Sequence, residues 1–202
     1  MRTLIFDTET TGLPPRDDIP VEQYPWMTQL AAILFDDLQP VMQMSCFFND
    51  SRINIPKEQF FLDHGMTNEF VKKNGVTYRF GLQAFEAMAC RADQLVAHNI
   101  SFDWKIILAT LGRIDYFLMD EKFHTRTKIC TKLTLTPHLK IPNPYGYEGY
   151  KWPNLQEAYK AMVKEKGFKG EHDAMNDVYA LGAIFFACVE QRVPLVEYHH
   201  HG

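Results

Sequence analysis

Asp7 and Glu9 stand two residues apart in the segment Phe6-Asp7-Thr8-Glu9-Thr10-Thr11-Gly12, directly after the apolar run Leu4-Ile5-Phe6. In an extended chain, residues two apart project from the same face, so both carboxylates leave the end of a first strand in one direction. Two acids held side by side repel each other. A hard divalent cation such as magnesium, which takes oxygen ligands, relieves that repulsion. Gly12 and the short Thr10 and Thr11 leave backbone N–H groups open to a metal-bound phosphate or ribose. The same residues also suit a plain turn, because Asp and Thr at strand ends commonly cap or bend the chain. The pair alone does not decide between the two readings.

Two further segments carry chemistry. His98-Asn99-Ile100-Ser101-Phe102-Asp103 places an acid at the mouth of a helix that leaves a short buried strand. Asp103 is there either a helix cap or a second acid facing a cation. In His172-Asp173-Ala174-Met175-Asn176-Asp177, Asp177 lies four residues before the core-facing Leu181, at the buried end of the last helix. An acid in that place is costly unless it is paired or bound to metal. His172 precedes the helix, where an imidazole with an ordinary pKa of about 6.5 suits removal of a proton from water. By itself it equally fits a surface histidine.

These side chains need elements to hold them. Arg2 to Asp7 reads as the first strand, and Thr28–Phe35 and Val41–Phe48 as two more, joined through Asp36–Pro40 as a hairpin. Leu95–Ala97 is a short buried strand and Thr127–Thr131 another. Thr67 caps a helix over Asn68–Lys73, which stops near Gly75, and a second helix covers Leu82–Arg91. Asp103–Leu111 forms a third, ending at Gly112. Asn154 with Glu157 three residues on approximates a capping box for a helix that Gly167 ends, with Leu155, Ala158, Tyr159, Met162 and Val163 as its apolar stripe. Ala174, Val178, Leu181, Phe185 and Cys188 recur at helical spacing along a final helix, about Ala174 to Glu190. The loop carrying Pro14, Pro15, Pro20 and Pro25, and the irregular stretch from Pro137 to Pro153, are both placed to border a site. Strands first, then helices interleaved with two more strands, give an α/β fold: a mixed sheet covered by helices on both faces.

A chain of 202 residues suits one domain. Residues 1–191 are expected to form it, with 192–202 as a tail whose His199-His200-His201 is native or the remnant of a tag. No apolar run is long enough for a membrane span, and the N-terminus lacks the apolar stretch of a secretory signal. The four cysteines are isolated from one another, which suggests a reducing, cytoplasmic setting. The net charge of −4 argues against a non-specific nucleic-acid coat but not against a nuclease, because bound cations reverse the field of an acidic site. The basic run Lys122, Arg126, Lys128, Lys132, Lys140 is either a phosphate-contacting edge or a solvated face. Tyr145, Tyr147, Tyr150 and Trp152 either pin their loop or stack on unpaired bases.

In order along the chain, the three segments resemble the signature of the DEDDh exonucleases, also called the DnaQ-like or RNase T-like family: D-x-E-T-x-G, H-N-x-x-F-D and H-x-A-x-x-D. Each is matched at every diagnostic position, and Asp63–Glu69 resembles the family's H-G-I-T-x-E segment, so the likeness runs from about Leu4 to Val189. The resemblance implies an RNase H-like mixed five-stranded sheet flanked by helices, and two divalent cations, Mg2+ or Mn2+. Asp7, Glu9 and Asp177 would hold the tighter cation, with Asp7 and Asp103 facing the second. His172 would be the general base, and Thr8, Thr10, His64, His98 and Asn99 the substrate contacts. The implied reaction is 3′→5′ release of nucleoside monophosphates from single-stranded ends by a two-metal mechanism, with DNA preferred and RNA or short oligonucleotides as alternatives. The chain stops shortly after its last helix, so no polymerase-docking extension is expected. An inactive nucleic-acid-binding module is the rival reading, but its mark would be a missing ligand, and none is missing.

Overall fold

The segment Met27–Asp36 buries nine of its ten side chains, and a strand with both faces covered belongs inside a sheet. The computed structural model describes residues 1–14, 19–20, 23–116, 123–144, 146 and 148–199. Its sheet is built from β1 (Arg2–Thr10), β2 (Met27–Asp36), β3 (Gln39–Phe47), β4 (Gln94–Ala97) and β5 (Thr127–Cys130), in the order β3-β2-β1-β4-β5. The first three strands are antiparallel neighbours, and β4 and β5 run parallel to β1. The helices are α1 (Gln59–Asp63), α2 (Asn68–Asn74), α3 (Tyr78–Ala89), α4 (Ile100–Arg113), α5 (Thr131–Leu139), α6 (Leu155–Met162) and α7 (Ala174–Glu190). This is the mixed five-stranded α/β sheet, flanked by helices, that the sequence implies.

Strand alternation sends Leu4 and Phe6 into one core and Ile5 into the other. The first core holds Leu82 and Phe85 of α3 and Trp104 and Ile107 of α4. Phe85 meets Phe6 edge-on at 5.3 Å, and Trp104 stacks on Phe123 at 4.9 Å. The second core holds Ala158 of α6 and Val178, Leu181 and Phe185 of α7. Burying each of these large side chains contributes about 1.5–3 kcal/mol. By the same alternation Asp7 and Glu9 share the α7 face with Ile5, while Thr8 turns toward α4.

Several boundaries differ from the sequence reading, each for a local reason. β1 continues three residues past Asp7 because β2 pairs with it as far as Thr10, so both acids lie within the strand. α3 begins at Tyr78, four residues early, because the Thr77 hydroxyl caps Phe80 N–H and the Tyr78 hydroxyl donates to the Met27 carbonyl (2.6 Å). α4 begins at Ile100, which puts Asp103 inside its first turn rather than at its mouth. Gly112 lies within α4, and the left-handed residue that follows the helix is Asp115 (φ 51°). α6 stops at Met162, where Val163 leaves helical geometry, and Gly167 belongs to the next turn. Two helices carry no clear sequence signal: α1, which is only five residues long, and α5, which ends over Pro137.

The basic run divides. Lys128 is buried, its ammonium donating to the carbonyls of His124 and Arg126. Arg126 donates to the carbonyls of Ala92 and Cys90. Both are structural, and among the described members of the run only Lys132 lines the cleft described below. After α7, Val193 is buried and the chain runs antiparallel along β5, with Cys130 N–H donating to Val196 and Tyr198 N–H to Lys128. That covers a strand edge which would otherwise be open. Pro15, Lys122, Tyr145, Tyr147, His200 and His201 lie outside the described residues. All four cysteines are thiols. Among the described residues no helix is long and apolar enough to cross a membrane.

Gly75 closes α2 where three backbones meet. A Cβ there would lie 2.5 Å from the Val71 carbonyl oxygen and 2.7 Å from Asn49 N. Backbone atoms cannot rotate aside, so Gly75→Ala is expected to cost about 1–3 kcal/mol in urea unfolding. An unchanged denaturation midpoint would contradict this packing.

Candidate active site

β1 outruns β4. Their pairing covers Thr3, Leu4 and Ile5, so beyond Phe6 the β4 side of β1 has no strand beside it. The first turn of α4 fills that gap. Asp103 Oδ1 accepts from both the backbone N–H of Thr8 (3.1 Å) and its hydroxyl (2.7 Å). An acid that sequence logic would assign to capping is thus tied to the strand that carries Asp7 and Glu9.

The other half comes from α7. Asp173 caps that helix, its carboxylate accepting from Met175 N–H and Asn176 N–H (3.1 Å each). Gln29, fully buried on β2 opposite Glu9, donates to Asp173 Oδ2 (3.2 Å) and accepts from Ala174 N–H (3.2 Å). This one amide fixes the start of α7 against the sheet and so sets where Asp177 stands. Asp177 Oδ2 accepts from His172 N–H (3.2 Å), which holds His172 in a left-handed conformation (φ 69°). That conformation costs a non-glycine residue about 1–2 kcal/mol.

Asp7, Glu9, Asp103, Asp177 and His172 therefore line a single cleft of ≈ 530 Å³, together with Thr8, His98 and Asn99. Thr10 and His64 lie on the far side of Glu9 and His172. The His172 ring meets His64 edge-on at 5.1 Å and Phe60 at 4.9 Å. Not every candidate offers a free polar atom. The Thr8 hydroxyl serves Asp103. His98 spends both ring nitrogens internally, Nε2 donating to the Pro153 carbonyl (3.0 Å) and Nδ1 accepting from the Thr131 hydroxyl (2.9 Å). A carbonyl can only accept, so Nε2 carries a proton, and burial, which lowers the pKa to about 4, leaves the ring neutral near pH 7. Asn99 Oδ1 accepts from Lys132 Nζ (2.7 Å). Gln29 and Phe60 belong to no motif and carry no sequence signal. Asp173 fills a variable position of the third motif and is readable as a cap, and Lys132 is legible only as a member of the basic run.

The electrostatics are one-sided. Desolvation, then repulsion from neighbouring acids, raises Asp7 well above the ordinary carboxylate range and Glu9 to about 8. Desolvation raises Asp177 to about 7 and Asp103 to about 6, the latter against its Thr8 hydrogen bonds. Desolvation also lowers His172, leaving it neutral and able to accept a proton near pH 7. Ligand atoms of Glu9, His172 and Asp177 all fall within 4.8 Å of one another. Asp177 Oδ1 is buried with no hydrogen-bond partner among the described residues. Such an orphan costs about 1–3 kcal/mol. A hard cation fits this donor set, since it would satisfy that oxygen and offset the repulsion at once.

The sign of the resulting pH dependence follows from proton binding. Glu9, Asp103 and Asp177 are protonated in both states below the ordinary carboxylate range of about 4 and lose their extra protons in the folded state as pH rises through about 6 to 8. Between those limits the folded chain holds more protons than the unfolded one, so stability falls as pH rises. In chelator, the thermal midpoint is expected to drop by several degrees from pH 5 to pH 8, with Glu9→Gln flattening the slope. Each kcal/mol corresponds to about 2–4 °C at this chain length. A midpoint that rises across this window would refute the account.

The comparisons bear on the same residues. The family model described as Exonuclease, RNase T, matches residues 4–185. Among curated proteins none matches the chain. Among solved structures, E. coli exonuclease I in complex with a dT13 oligonucleotide superposes with a TM-score of 0.70 at 18% identity, over 95% of this chain and 41% of that one. Cell-death related nuclease 4 gives 0.70 at 14%, over 97% and 66%. Exonuclease X in complex with 5′ overhanging duplex DNA gives 0.60 at 21%, over 94% and 92%. The chain thus spans 41% of the length of E. coli exonuclease I, and at these identities the likeness concerns the fold. With the family model matched over residues 4–185, the chain belongs to the RNase T-like, or DEDDh, exonuclease family.

Proposed function

We propose that this chain is a divalent-metal-dependent 3′→5′ exonuclease that releases nucleoside monophosphates from single-stranded ends, with DNA preferred. The observation that carries the reading is Asp177 Oδ1, a buried acid oxygen without a hydrogen-bond partner among the described residues, inside a cluster of four carboxylates and beside His172. Family membership supports the reaction class. The DNA present in the complexes of exonuclease I and exonuclease X supports the choice of substrate.

Asp7, Glu9, Asp103 and Asp177 would hold two magnesium or manganese ions, which when bound polarise the phosphate, lower the pKa of water and neutralise charge on the departing oxygen. The chain's own groups do the rest. His172, with an imidazole nitrogen within 4.8 Å of Glu9 and Asp177 oxygens, takes a proton from the attacking water. The water oxygen bonds to phosphorus as the bond to the 3′-oxygen breaks, freeing a 5′-monophosphate. Asp103, fixed by Thr8, and Asp177, fixed by His172 N–H, keep their carboxylates aligned with little to reorganise during the step.

A second reading has its own support: the 4.8 Å cluster could make His172 a metal ligand. His172→Ala separates the two. A base predicts that kcat falls by about 10²–10⁴-fold with the magnesium half-saturation unchanged, whereas a ligand predicts that half-saturation rises in parallel. Either result is read from a magnesium titration of steady-state rates.

Polarity, metal dependence and substrate are tested together. Single strands of DNA and RNA of one sequence, labelled at the 5′ or 3′ end, are incubated with magnesium or with excess chelator. With magnesium, the 3′ label is expected to appear at once as mononucleotide while the 5′-labelled strand shortens stepwise, faster on DNA. Full activity in chelator, or immediate release of the 5′ label, would overturn the proposal.

A further inference from the structure

We propose that Trp152, Lys132 and Lys105 form a second nucleotide subsite, which receives the part of a single strand that leads away from the scissile end. The proposal rests on the nuclease reading above. A groove of ≈ 150 Å³ opens off the catalytic cleft, bounded by Asn99, Ser101, Lys105, Lys132 and Trp152. Asn99, Lys132 and Trp152 line both spaces, so they form the sill between them. The four carboxylates all lie on the catalytic side.

Trp152 distinguishes a platform from a pin. An aromatic that anchors its loop does so by being buried, but this indole is 60% exposed. Its neighbours hold the loop instead. Lys151 N–H donates to the Ile141 carbonyl (2.9 Å), and the Lys151 ammonium pairs with Glu157. The Pro153 carbonyl accepts from His98, and Asn154 closes the capping box of α6. The ring is thereby presented at the rim by a fixed backbone, steadied by the Lys132 ammonium 4.1 Å from its centroid.

The charges match one class of ligand. Lys105 lies one helical turn beyond Ser101 on α4, and both face the groove. Two ammonium groups beside an exposed aromatic face, in a chain of net charge −4, suit alternating phosphates and unpaired bases. A duplex offers no free base face to such a ring. The acids of the cleft and the lysines of the groove then divide the substrate, with the reacting phosphate at the first and the following phosphates at the second.

The test uses the full chain with oligothymidylate dT8 and the p-nitrophenyl ester of thymidine 5′-monophosphate. Trp152→Ala and Trp152→Leu are expected to raise KM for dT8 about ten-fold or more, with Trp152→Phe restoring most of it and kcat changing less than KM. Lys105→Ala should reduce the slope of log affinity against log salt for dT8 by about 0.7, a readout that does not depend on the indole. Binding of labelled dT8 in chelator, followed by anisotropy, measures the groove without turnover. If the unaltered protein hydrolyses neither substrate with magnesium, the nuclease reading fails, while the anisotropy still judges the subsite. A dT8 affinity unchanged in Trp152→Leu, or equal losses in Trp152→Leu and Trp152→Phe, would overturn the subsite.

Discussion

Four carboxylates, Asp103 and Asp177 buried and Asp7 and Glu9 half-buried, line one cleft, and the hydrogen bonds that Asp103 and Asp177 accept come from Thr8 and from His172 N–H rather than from a lysine or arginine. At an effective dielectric of about 20, two unit charges 4 Å apart repel by about 4 kcal/mol. The fold supplies a partial offset, because Asp103 and Asp177 both sit in first helical turns, where the helix dipole favours an anion. That contributes about 0.3–1 kcal/mol per acid, several times less than one such repulsion. The offset is too small: desolvation first, and at Glu9 and Asp177 repulsion from neighbouring acids as well, raises the proton affinities of Glu9, Asp103 and Asp177. A site with this imbalance binds protons or cations, and a divalent ion answers several acids at once.

Such a cluster persists only if its acids cannot move apart, and the architecture explains what prevents it. Asp7 and Glu9 are carried by β1, hydrogen-bonded to β2 through Thr10. Asp103 is held by Thr8 in the gap left where β4 ends. Asp177 is held at its helix by Gln29, whose one amide joins Ser45, Asp173 and the start of α7. Each acid stands on regular structure rather than on a loop, which is what a preorganised site requires. His172 alone comes from irregular chain, and its left-handed backbone is secured through Asp177.

What could be read beforehand divides along the range of the interaction. The ends of α7 and the cap of α6 were legible because Ala174, Val178, Leu181, Phe185, Asn154 and Glu157 signal through neighbours three or four residues away. The four acids of the cleft were legible because their types and spacing recur as a family pattern. Gln29 was not, since nothing near it in sequence marks an amide that contacts residues 144 and 145 positions away. Lys128 misled for the same reason: a basic residue in a basic run looks solvated until Trp104 is found under its ammonium. α5 was hidden by Pro137, because proline has no N–H to donate to the residue four before it and ordinarily ends a helix. Here Pro137 sits in the last turn, before Lys140 turns left-handed.

The separation of rigid acids from variable walls also bears on what selects the substrate. Carboxylates with a histidine address a phosphodiester, a group common to every nucleic acid, so they carry little discrimination. The walls of the cleft differ in kind. On one side Leu13, Phe60 and Phe61 give an apolar lobe of ≈ 600 Å³ that reaches His172, with Phe102 shared between this lobe and the groove beside Trp152. On the other, Trp152 and Lys132 form the sill. Phe60 links the two roles, because it lines the apolar lobe and also meets the His172 ring at 4.9 Å. A group seated in that lobe would touch the same ring that packs against His172. The lobe and the His172 ring are thus joined through one side chain on α1, an element too short to be seen in the sequence.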